Sequence, residues 1–82
     1  TALEVNSFAH GQAELIKFKI PDGNMLDNIS IAHLGKNIAH NVLICAVERD
    51  GEVYIPSGNF TLKKDDVLSF VASRKAGNTG FP

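Results

Sequence analysis

A chain of 82 residues, 44% hydrophobic, holds one small core and is too short for two. Its formal charge of −1, from 8 basic and 9 acidic residues spread along the chain, provides no basic stripe for phosphates and argues against a nucleic-acid partner. The longest apolar run is about six residues against the roughly 20 that span a bilayer, so direct membrane insertion is excluded and any membrane connection runs through a partner.

In chain order, Ile16, Phe18 and Ile20 alternate with Lys17 and Lys19, the period-two pattern of a strand with one buried face, and Pro21-Asp22-Gly23 ends it in a turn. Asp27 or Asn28 then caps a short helix of about two turns that Gly35 ends in the left-handed conformation. Ile29 and Leu34 face the sheet, with Ala32 or His33 beside them. Residues 36–41 form a loop. The dipeptide Asp50-Gly51 between two β-prone runs predicts a type I′ hairpin pairing residues 42–48 with 52–55. Pro56-Ser57-Gly58-Asn59 makes a second turn, Phe60 to Leu62 a brief strand, Lys63 to Asp66 a polar turn, and residues 67–73 the last strand. The resulting class is α+β, a small β-α-β-β-β-β domain with a mainly antiparallel sheet and one short helix.

The run VLICAV does not alternate, so both faces of its strand call for cover. A helix covers one. The other needs a second layer, which is either another subunit or the far side of a small closed barrel. Cys45, the single cysteine, lies in this run as a small buried hydrophobe, which suits a reducing cytosol.

Reactive chemistry finds no candidate. His10, His33 and His40 lack other ligands at metal spacing and read as solvated or packing histidines. Asp65 and Asp66 are adjacent and point to opposite sides of an extended segment, so they form no acid/base pair. Glu48, Arg49, Asp50 and Glu52 read as the solvated rim of the hairpin. Neither a dinucleotide fingerprint, a P-loop nor a nucleophile elbow occurs.

Three segments carry a family resemblance: AELIKFKIPDGNML, NISIAHL and NVLICAVERDGEVYIPSGNFTLKKDDVLSFVA. With Ile55-Pro56, Gly58, Leu62 and Asp65-Asp66 in their order, the chain resembles the RCK C-terminal (TrkA-C) domain of cytosolic regulators of potassium channels and transporters. The resemblance spans residues 13–74. It makes residues 1–12 a lead-in from a preceding nucleotide-binding Rossmann domain, which the sequence lacks, and residues 75–82 a flexible tail. What it implies is a non-catalytic regulatory domain of a Trk-type potassium-uptake protein, cytoplasmic, homodimeric and held at the membrane through a transporter subunit. No cofactor or metal belongs to this fragment. The dimer interface would include Leu43, Ile44 and Cys45. In relatives that bind cyclic di-AMP between two subunits, the positions matching the ligand's surroundings are His40, Asn41, Val42, Ile55 and Pro56, with Lys36 the nearby cation. The alternatives are such a ligand-sensing domain or a generic β-rich interaction domain.

Overall fold

Asp50 and Gly51 adopt φ angles of 51° and 80°, the two positive values a type I′ turn requires. They fold the chain back so that Arg49 pairs with Glu52. The computed structural model describes residues 2–74, in the order β1 (Ala2–Phe8), β2 (Ala13–Lys19), α1 (Ile31–Gly35), β3 (Val42–Arg49), β4 (Glu52–Tyr54) and β5 (Val67–Ser73). The strands form one sheet ordered β1-β2-β5-β3-β4, antiparallel at every junction. The last strand therefore lies in the middle. Because β2 and β3 each run antiparallel to β5, they are parallel to one another, and α1 lies in the connection that crosses between them.

Alternation along the register assigns the two faces. Phe18, Leu68 and Val47 share one level and Ile16, Phe70 and Ile44 the next, all on the side that α1 covers. Ile20, Val47, Leu62 and Leu68 are the buried core, with Phe18, Leu26, Ile31, Leu34, Ile44, Phe60 and Phe70 packed around them.

The expected α+β class holds, and several details differ. Residues 2–8, absent from the expected order of elements, form β1, which pairs with β2 along its length. Phe60 to Leu62, expected as a brief strand, is reduced to an isolated bridge between Thr61 and Ser30. The helix starts later than expected, and its cap is Ser30, whose Oγ accepts the His33 N–H at 3.1 Å. Asp27 and Asn28 do not cap it, because the Asn28 N–H donates to Leu62 O and Ile29 O accepts from the Leu62 N–H, tying that stretch to the chain ahead of β5. Of the expected sheet-facing residues, Leu34 packs on the core, whereas Ala32 and His33 are exposed. Lys36 closes the helix in ordinary right-handed geometry, φ −77°, so the expected left-handed stop at Gly35 is absent.

A β-bulge between Ile44 and Ala46 accounts for part of the apolar run in VLICAV. It inserts Cys45 as the extra residue, so that Ile44 and Val47, three apart, both reach the core.

The turn joining β1 to β2 carries three consecutive residues at positive φ: Ala9 (54°), His10 (57°) and Gly11 (81°). Alanine in this region is strained by about 1 kcal/mol, whereas asparagine tolerates it. Ala9→Asn should therefore raise the midpoint of thermal unfolding by roughly 4 °C. An unchanged or lower midpoint in calorimetry would show that the strain is absorbed elsewhere.

Candidate functional site

Among the described residues, the sheet has a helix on one face only. On the other, register pairing lines up Leu15, Val71 and Leu43 at one level, Lys17, Ser69 and Ala46 at the next, and Lys19, Val67, Glu48 and Val53 beyond. Leu43 is 66% exposed and Val53 64%. Ile55, just past β4, is 81% exposed, so three large apolar side chains around the β3–β4 hairpin lack cover from the described residues.

Charge on this face is confined to particular strands. β1 contributes Glu4 opposite Lys17, β2 contributes Lys17 and Lys19, and β3 contributes Glu48, while β5 presents only Val67, Ser69 and Val71 at those levels. Lys17 Nζ reaches across β5 to Glu48 Oε2 at 3.4 Å, and both side chains remain more than a third exposed. Small Ser69 lies in the row between them and is buried.

The hairpin is held from the opposite side. Arg49 Nε donates to Asp66 Oδ1 at 2.8 Å and its Nη2 to Asp66 Oδ2 at 2.7 Å, a two-pronged pair, while Nη2 also reaches Thr61 O at 2.8 Å. The guanidinium stacks on Phe60, 4.8 Å from the ring centroid, and Phe60 in turn meets Tyr54 of β4. Asp66 is 1% exposed and also accepts the Lys63 N–H at 2.8 Å. Burial alone would push its carboxyl up. The Arg49 and Lys63 donors reverse this and hold it below the usual carboxylate range, and the hydrogen bond to Asp66 raises Arg49 in return. This clamp joins β3, the Thr61 bridge and the turn before β5, and so fixes where β4 and Ile55 project. It corrects the expectation of Arg49 as solvated rim and of Asp66 as mere turn polarity. Spacing offers no cue to it: the partners are 17 residues apart, and the pairing follows from β5 lying beside β3.

The expected effector residues fall in two places. His40 and Val42 line a hollow of about 530 Å³ with Ile31, Lys36, Ile38 and Leu43. Asn41 stands at its edge, where its Nδ2 donates to Ser73 O at 2.7 Å and its own carbonyl accepts the Ser73 N–H at 2.9 Å. Ile55 and Pro56 do not line this hollow. With Tyr54 opposite Val47, continued pairing would set Ile55 level with Ala46, roughly 13 Å along β3 from Val42. Of the expected interface residues, Leu43 faces outward, Cys45 sits half-buried in the bulge, and Ile44 turns inward against the core. Beneath α1, an apolar groove of about 360 Å³ runs between Leu26, Leu34, Ile38, Val42, Leu68 and Phe70. The three histidines sit on separate segments: the β1–β2 turn, α1 and the loop before β3. Among the described residues no helix is long and apolar enough to cross a membrane.

Comparison with known proteins agrees with this architecture. The TrkA-C domain family matches residues 15–79. The chain is also similar to a Trk system potassium uptake protein TrkA homolog of Archaeoglobus fulgidus, 32% identical over 71 residues. That alignment covers 87% of this chain and 16% of the relative, so the chain spans about a sixth of the relative's length. With the family match running from β2 through β5 and beyond, the chain belongs to the TrkA-C domain family.

Proposed function

We propose that this domain is a non-catalytic regulatory module of a cytosolic protein controlling potassium uptake, and that it works by pairing with a second copy through the uncovered face of its sheet. The observation that carries the reading is that face itself: Leu43 and Val53 are exposed on strands whose other side is the core of the domain. Contiguous exposed apolar surface on a small domain marks a contact site. The potassium system enters through the name of the Archaeoglobus relative. A transporter subunit at the membrane is the partner of the whole protein, and this domain meets the membrane only through it.

The test is potassium uptake by cells depending on the whole protein, comparing wild type with Leu43→Glu. The reading expects uptake to lose its regulation while the protein stays expressed and folded. Unchanged regulation would overturn it.

A second reading, a site for a small anionic ligand such as cyclic di-AMP, draws on the hollow beside His40 and Val42, where an apolar floor of Ile31, Ile38 and Leu43 meets Lys36 at the rim. Ile55 and Pro56 belong to this site only if a second copy supplies them. Titration calorimetry with cyclic di-AMP giving neither heat nor a thermal shift would remove it.

A further inference from the structure

The two edges of the sheet are built differently. β4 is an edge of only three residues, Glu52 to Tyr54, with Pro56 soon after it, so little backbone is left open there for a further strand. β1 has no such protection. It is seven residues long and exposed throughout, carries neither proline nor lysine, and its one charge is Glu4. Its bulge lies at the start, between Ala2 and Glu4, and from there the pairing with β2 runs one to one, from Glu4 opposite Lys17 to Phe8 opposite Ala13. In an antiparallel pair every second residue turns its N–H and C=O away from the neighbouring strand, so this regular stretch presents a row of open donors and acceptors on its far side. Among the described residues, the turn, cap and loop bonds of the backbone leave residues 2–7 untouched.

Side chains flank that row on both faces. Val5, opposite Ile16, lies on the helix side of the sheet and is 52% exposed, while Phe8, opposite Ala13, lies on the other side and is 47% exposed. The Glu4 carboxylate accepts from Asn6 Nδ2 at 2.7 Å, and its partner in register, Lys17, reaches across β5 to Glu48 instead. Among the described residues Glu4 therefore pairs with no cation.

We infer that β1 is a docking edge, to which an extended segment from the remainder of the full-length protein adds as a sixth strand beside residues 4–8, with apolar side chains against Val5 and Phe8 and a lysine or arginine beside Glu4. A row of open N–H and C=O groups at this spacing is satisfied in register by another strand, which fixes the conformation of the occupant. The lone carboxylate selects the basic neighbour, because an opposite charge beside it on the added strand is favourable and a like charge is not. The source follows from length: the chain spans about a sixth of its Archaeoglobus relative, so most of a protein of that size lies outside this domain. The inference is independent of the pairing of two copies proposed above, which uses the face of the sheet and not this edge.

Residue-resolved hydrogen exchange, compared between the whole protein and this chain alone, tests it. The amides of residues 4–8 that point away from β2 should exchange at least about tenfold more slowly in the whole protein, and those already bonded to β2 should change little. Val5→Lys is an ordinary surface change at a half-exposed position, so it should restore fast exchange of the outward amides in the whole protein while those of β2 and β5 stay protected. Should that variant disturb the hairpin, Glu4→Lys should act in the same direction by setting like charges side by side across the added strand. Equal exchange in the two proteins would overturn the inference, as would slowing spread evenly over both sets of amides, which marks burial without pairing. Protection that appears in this chain alone and grows with its concentration would assign the edge to a second copy and would also overturn it. A chain that sediments as a strict monomer would remove the dimer reading and leave this one standing.

Discussion

Replacing Arg49 with Met is expected to lower stability by about 3 kcal/mol, the lower end of the range for breaking a buried ion pair, because the arginine keeps about a third of its side chain in water. In a domain of this size that is a fall of roughly 12–24 °C in unfolding midpoint. The cost lies with Asp66, which is left buried with the Lys63 N–H and no cation. Arg49→Lys should recover less than half of it. One ammonium cannot bridge both Asp66 oxygens, reach Thr61 O and lie flat on Phe60 as the guanidinium does. The effect has a pH signature. Asp66 is depressed in the folded wild type, so the stability it contributes is complete above its unfolded pKa of about 3.9 and is lost as pH falls through the lower folded value. In the Met variant the unpaired carboxyl is pushed up instead. The stability gap between the two proteins should therefore be widest at neutral pH and narrow in acid, as measured by denaturant melts between pH 7 and pH 3. A gap that ignores pH would mean that Arg49 acts through packing alone.

Leu43→Glu is expected to leave the fold untouched and to weaken self-association at least about 100-fold, which is about 2.7 kcal/mol. Leu43 is 66% exposed, so within one chain its substitution is an ordinary surface change worth no more than about 0.5 kcal/mol. In a dimer the same carboxylate would be desolvated beside the partner's apolar face. Val53→Glu, on the neighbouring strand, should act in the same direction. Ile44→Glu should not: Ile44 points into the core, so that variant should unfold the monomer and not merely separate the dimer. The contrast between neighbours one residue apart separates an interface from a general intolerance of charge in β3.

The elements legible from sequence are those with local causes. Asp50-Gly51 specifies its own turn, and the alternation of Ile16, Phe18 and Ile20 with lysines specifies a half-covered strand. Strand β1 is hidden because Ala9 and His10 are poor residues for the positive φ angles they hold, so the hairpin to β2 lacks a turn signature. Ser30 is masked as helix cap because Asp27 and Asn28 stand earlier in the chain, and only the backbone bonds from Asn28 and Ile29 to Leu62 show why the helix starts late. The same limit applies to the candidate site. The unbroken apolar run hints at exposure of Leu43, whereas the opposition of Lys17 and Lys19 to Glu48 depends on β5 entering between β2 and β3. That order is decided by long-range pairing. It also explains why the Arg49–Asp66 clamp has no signal in spacing.

Sedimentation equilibrium of this chain, from micromolar to high micromolar concentration at moderate salt, tests the central claim most directly. The account predicts a monomer–dimer equilibrium with the dimer dominant at the upper end, weakened by Leu43→Glu. A strict monomer over the whole range, or a dimer indifferent to Leu43→Glu, would contradict it.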